Sequence, residues 1–88
     1  MKAEIIKVEK NYWELKFEND IIKIENKTNE LRLYVNDKLQ DIFLGLGTSH
    51  NIRFYGKTTK NKSIKIVFGG DFKVHCFVFV DNELIYND

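Results

Sequence analysis

From Phe72 to Val80 every second side chain is apolar. Phe72, Val74, Cys76, Val78 and Val80 share one parity; Lys73, His75, Phe77 and Phe79 share the other. A strand sends alternate residues to opposite faces, so this stretch has one wholly apolar face and one that turns from polar to aromatic. It then meets Asp81-Asn82, residue types that accept positive φ and reverse a chain. A chain organised around this stretch must be built from strands with one side in a core.

The same alternation recurs upstream. Ala3–Glu9 reads as a first strand, and Tyr12–Glu18 as a second with Trp13, Leu15 and Phe17 inward. Asn19-Asp20 reads as the turn into Ile21–Asn26, where Ile22 and Ile24 oppose Ile21, Lys23 and Glu25. Leu31, Leu33 and Val35 then face inward, with Arg32 and Tyr34 outward, before a turn at Asn36-Asp37 and a return strand Lys38–Leu44. Ile52–Lys57, Ser63–Phe68 and Glu83–Tyr86 complete the set. No window holds a helical period for long. Leu39–Leu46 also fits a helical turn or two, and its flanks decide for strand. The chain has no proline to interrupt a ladder.

Short strands at regular spacing predict an all-β fold. The expected form is a single antiparallel β-sandwich of about eight or nine short strands joined by hairpins, one domain over residues 1–88. A small closed β-barrel is the alternative. The glycine-rich stretch Gly45–Asn51 is the expected crossing between sheets. Tyr34, Tyr55, Phe77 and Phe79 lie opposite the clearest core positions. A second sheet packing over them is expected; an exposed aromatic patch is the alternative. Leu33–Leu39 (LYVNDKL) also echoes Val78–Leu84 (VFVDNEL). Shared hairpin chemistry accounts for the echo most simply, and a duplicated half-sandwich is the sharper reading.

Composition narrows the function. A net charge of +1 argues against a molecule that binds polyanions over its whole surface. One cysteine permits no internal disulfide, which fits a reducing, cytoplasmic setting. Met1-Lys2-Ala3-Glu4 leads into no apolar signal region, and the longest apolar runs, about five residues, fall far short of a membrane helix. His75 and Cys76 are neighbours on a strand, so they point to opposite faces and form no ligand or nucleophile–base pair. Cys76 reads as a core thiol. No metal, cofactor or catalytic residue is expected, and the protein is read as a non-enzyme.

Two stretches carry candidate sites. Gly45–His50 (GLGTSH) lacks the lysine and the glycine spacing of phosphate loops, leaving Thr48, Ser49 and His50 as a tentative small-ligand site. Arg53, Lys57, Lys60, Lys62 and Lys65 gather with Tyr55 in a segment free of acids. Such a basic hairpin with aromatics fits a single-stranded nucleic-acid or partner surface. The simpler reading, and the favoured one, is a lysine-rich tip that keeps an edge soluble. The leading expectation is a non-enzymatic binding or protein-interaction module that takes a protein partner or a second copy. Single-stranded nucleic acid at the basic hairpin is the first alternative, and a small ligand near residues 45–50 the second.

Trp13–Phe17, Arg32–Leu39, Lys65–Phe68 and Cys76–Leu84 together resemble a family of small uncharacterised bacterial all-β proteins of clostridial type. They are more loosely similar to the repeating half of the Fas apoptosis inhibitory molecule family. The glycine that follows Asp in that family's hairpin is missing here at both Asn36-Asp37 and Asp81-Asn82. The resemblance implies an antiparallel sandwich and an interaction or regulatory module, with no catalytic residues.

Overall fold

The computed structural model describes residues 2–27, 30–44, 52–69 and 75–88. Alternation fixes which side chains meet, and the strands follow it. They are β1 (Glu4–Glu9), β2 (Tyr12–Phe17), β3 (Asp20–Lys27), β4 (Glu30–Val35), β5 (Lys38–Leu44), β6 (Ile52–Lys57), β7 (Ser63–Gly69), β8 (His75–Val80) and β9 (Glu83–Asn87). Leu39–Leu44 is therefore strand. β1 to β5 form one antiparallel meander and β6 to β9 a second, and neither closes into a barrel. β5 ends in one sheet and β6 opens the other, so the chain crosses between Leu44 and Ile52. The crossing segment 45–51 lies outside the described residues, as do Phe72, Lys73 and Val74.

Every expected inward residue among the described ones is buried. Trp13, Leu15, Ile22, Ile24, Leu31 and Leu33 of the first sheet face Phe54, Ile64, Ile66, Phe68, Cys76 and Val78 of the second. Phe68 ties the layers together. Its ring meets Trp13 edge-on at 5.9 Å and Phe54 at 5.7 Å. Burying a side chain of this kind is worth roughly 2–3 kcal/mol.

The hairpins turn without glycine. Asn36 and Asp37 sit at φ 51° and 66°, Asp81 and Asn82 at 49° and 67°. Positive φ at both loop residues is the type I′ geometry that matches strand twist, and Asn and Asp tolerate it best after glycine. Each turn also clamps the strand beyond its own hairpin. Asn36 N–H donates to the Ile21 carbonyl while its Oδ1 accepts the Ile21 N–H, both at 2.9 Å. Asp81 repeats this on Ser63, both at 2.8 Å.

The echo between the two hairpins extends to their defects. β4 and β5 slip register between Leu33 and Tyr34, leaving Gln40 unpaired; β8 and β9 slip between Val78 and Phe79, leaving Ile85 unpaired. Each bulged residue then joins the two sheets. Gln40 Oε1 accepts the Lys57 N–H at 3.3 Å, and the Ile85 carbonyl accepts the Ala3 N–H at 2.9 Å. Strands β2 to β5 and β6 to β9 are thus two versions of one four-stranded meander, with β1 added to the first.

Two expectations need correction. The loop after β2 is Glu18-Asn19, with Glu18 at φ 55°, one residue earlier than the composition indicates. Asp20 belongs to β3, because its carboxylate is bound inside the molecule. No second layer covers the outer aromatics among the described residues: Tyr34, Phe77 and Phe79 are half-buried and Tyr55 is 56% exposed. Strand β1 carries Ile5, Ile6 and Val8 exposed, since the fifth strand has no counterpart in the other sheet and a bulge sits between Ile5 and Lys7.

Candidate functional site

The outer face of the four-stranded sheet is set by register. Tyr55 pairs with Lys65, Lys65 with Phe79 and Phe79 with Leu84, which makes one row across the sheet. Arg53, Val67, Phe77 and Asn87 make the next row. Lys57 with Ser63 flanks the first row, and Gly69 with His75 flanks the second. Residues opposite one another in an antiparallel pair share a face, so all these side chains point away from the core.

The polar groups on this face are cations or neutral. Arg53, Lys57 and Lys65 stand among Tyr55, Phe77 and Phe79, and no outward position of the four strands carries a carboxylate. Three carboxylates at the borders are tied to backbone, and Glu83 of β9 is exposed at the sheet end opposite the inward Val80. Asp41 Oδ2 accepts the Tyr55 N–H at 3.1 Å, Asp81 Oδ1 the Ser63 N–H and Asp88 Oδ1 the Cys76 N–H, both at 2.8 Å. Asp88 Oδ2 also accepts from Trp13 Nε1 at 2.7 Å, which turns that carboxylate inward. Lys65 Nζ rests over the Phe79 ring, 5.0 Å from its centroid. Lys57 Nζ donates to Ser63 Oγ at 2.9 Å. Arg53 is exposed and without an ion pair among the described residues.

The six residues of the basic hairpin therefore divide. Arg53, Tyr55, Lys57 and Lys65 come together on the outer face. Lys60 and Lys62 do not join them. Both approach Glu18 Oε2, at 3.6 and 3.1 Å, and Lys62 lies over the Phe17 ring. The hairpin tip bends toward the five-stranded sheet because Asp20 holds it. Asp20 is 3% exposed and accepts from Thr59 N–H, Thr59 Oγ1 and Asn36 Nδ2, at 3.0, 2.9 and 2.9 Å. Burial alone would raise the Asp20 pKa. The bonds from Asn36 and Thr59, with Lys60 nearby, outweigh it and lower the pKa. Sequence reading missed this clasp, since Asp20 looks like an ordinary turn residue.

The second candidate, Thr48, Ser49 and His50, lies outside the described residues. Cys76 is fully buried, and burial followed by the Asp88 charge pushes its thiol pKa well up, so it is a poor nucleophile. His75 sits at the far end of the outer face with Nδ1 3.9 Å from Asp88 Oδ1. No cluster of three metal-binding side chains occurs among the described residues. No described helix could cross a membrane. Comparison of the chain with models of known families, with curated proteins and with solved structures gives no match.

Proposed function

We propose that this protein is a non-enzymatic binding module and that its ligand is single-stranded nucleic acid, held on the outer face of the four-stranded sheet. The observation that carries this reading is the mixture on that face: three cations interleaved with three aromatic rings, and no outward carboxylate. Cations attract phosphates, and rings give unpaired bases a surface to stack on. A protein interface would be poorer in lysine at its centre. A lysine-rich solubility device accounts for Lys60 and Lys62 but not for aromatics left uncovered beside Arg53.

The test is titration of labelled single strands at rising salt. Three phosphate contacts predict a slope of log K against log salt of about −2, from roughly −0.7 per contact on single strands. Replacing Arg53 and Lys57 with Ala should cut the slope by more than half. An affinity that is absent at low salt, or indifferent to salt, contradicts the proposal; tight, salt-independent capture of an apolar peptide would point to a protein partner instead.

A further inference from the structure

We infer that Phe77 and Asn87 form a base-reading position on this face, and that the base it prefers is adenine. The inference rests on the nucleic-acid reading above and adds a specificity to it. The two outward phenylalanines of β8 are not equivalent. Phe79 is capped by Lys65 at 5.0 Å, and its neighbour on β9 is Leu84, which has no hydrogen-bonding group. Among the described residues no cation stands over Phe77, and its neighbour on β9 is Asn87. Phe77 is therefore the more open platform, and the one with a polar group beside it.

The Asn87 amide is suited to reading. It is exposed and has no hydrogen-bond partner among the described residues, so no internal bond must break for it to bind. Adjacent strands stand about 4.8 Å apart, which sets the amide at the rim of a base stacked on Phe77. Arg53 lies at the other end of the same row, where a phosphate attached to that base can reach it. An amide offers a donor beside an acceptor. Adenine offers N6–H beside N7 on one edge and beside N1 on the other, so it matches in either orientation; its two fused rings also cover Phe77 more fully than a pyrimidine does.

The experiment compares short labelled homopolymers of deoxyadenosine, deoxycytidine and thymidine by fluorescence anisotropy, using the wild-type chain, Asn87→Ala and Asn87→Gln. Wild type should favour the adenine strand about fivefold, the lower end of a bidentate contact. Asn87→Ala should bring the three strands within about twofold while leaving the salt slope unchanged, because no phosphate contact is lost. Asn87→Gln should keep part of the preference. Strands that bind with no base preference, or a preference that survives Asn87→Ala, overturn this inference and leave the functional reading standing. Failure of every strand to bind overturns both.

Discussion

The two sheets carry the same framework and opposite surfaces. Tyr34 and Phe79 occupy equivalent positions, and each lies under a lysine from the preceding strand: Lys23 at 5.1 Å and Lys65 at 5.0 Å. Around that shared pair the faces diverge. The five-stranded sheet sets Glu14 beside Lys23 and Glu25 beside Arg32; the four-stranded sheet has Tyr55 and Val67 at the matching places. Arg32 is held by Glu30 at 2.7 Å and Lys7 by Glu9 at 3.3 Å. Arg53 has no such partner among the described residues. A checkerboard of opposite charges is satisfied by itself, whereas cations set among rings call for an external anion. On the reading proposed here, function resides in which outward residues were left without a carboxylate, not in the fold that presents them.

Several substitutions would break or sharpen that contrast. The largest effect is expected from giving the four-stranded face the other sheet's acids. Tyr55→Glu with Val67→Glu should weaken single-strand binding about 100-fold, through lost stacking of about 1–3 kcal/mol and cancelled phosphate attraction. Both sites are on the outside, so circular dichroism should show the fold unchanged. The reverse graft, Glu14→Tyr with Glu25→Val, should create weak binding on the five-stranded face.

Next comes the clasp, which sorts the basic residues between the two sheets. Asp20→Ala should cost about 2–3 kcal/mol in urea unfolding, because it strips a buried acceptor from Thr59 and Asn36. The pH dependence has a definite sign. The folded Asp20 pKa lies below the unfolded value near 3.8, so its contribution is full above about pH 4. It is lost as pH falls below that, and Asp20→Ala should flatten this part of the acid limb.

The paired hairpins test the equivalence of the two meanders. Asn36→Ala and Asp81→Ala each place alanine at positive φ and remove the acceptor of one backbone N–H, and Asn36→Ala also removes the Nδ2 donor to Asp20. Asp81→Ala should cost about 1–2 kcal/mol and Asn36→Ala about 1 kcal/mol more. Equal costs would show that the Asn36–Asp20 bond adds nothing to the first hairpin.

The smallest effect reports the acidic field of the five-stranded face. Tyr12 donates to Glu14 Oε1 at 2.7 Å, and that bond, then burial, then the charges of Glu14, Glu25 and Glu9 push its pKa up to about 12. Glu14→Gln should bring it down, as read by ultraviolet absorbance. Because the folded pKa is the raised one, the stabilisation from Tyr12 is full below pH 10 and is lost as pH climbs toward 12.

The core was legible because a period of two admits no ambiguity when one face is buried. Trp13, Leu15 and Phe17, or Ile64, Ile66 and Phe68, could only face one way. The bulges were not legible. Gln40 and Ile85 become extra residues only in relation to the strand opposite, and a single strand's pattern does not record its partner's register. A chain with this many strands could supply a second sheet over the outer aromatics, but here each sheet's single partner already occupies its inner side. Four of the six residues of the basic site were legible: Arg53, Tyr55, Lys57 and Lys65 follow from strand parity. Lys60 and Lys62 sit in a loop, where parity fails and a distant buried carboxylate, Asp20, decides the direction.

The most direct test of the central contrast is to titrate an isotope-labelled sample with a short adenine-containing single strand and follow its amide and side-chain resonances. Shifts should gather on Arg53, Tyr55, Val67, Phe77 and Asn87, and leave Tyr12, Lys23 and Tyr34 unmoved. Shifts spread evenly over both outer faces, or centred on the five-stranded one, would contradict the account.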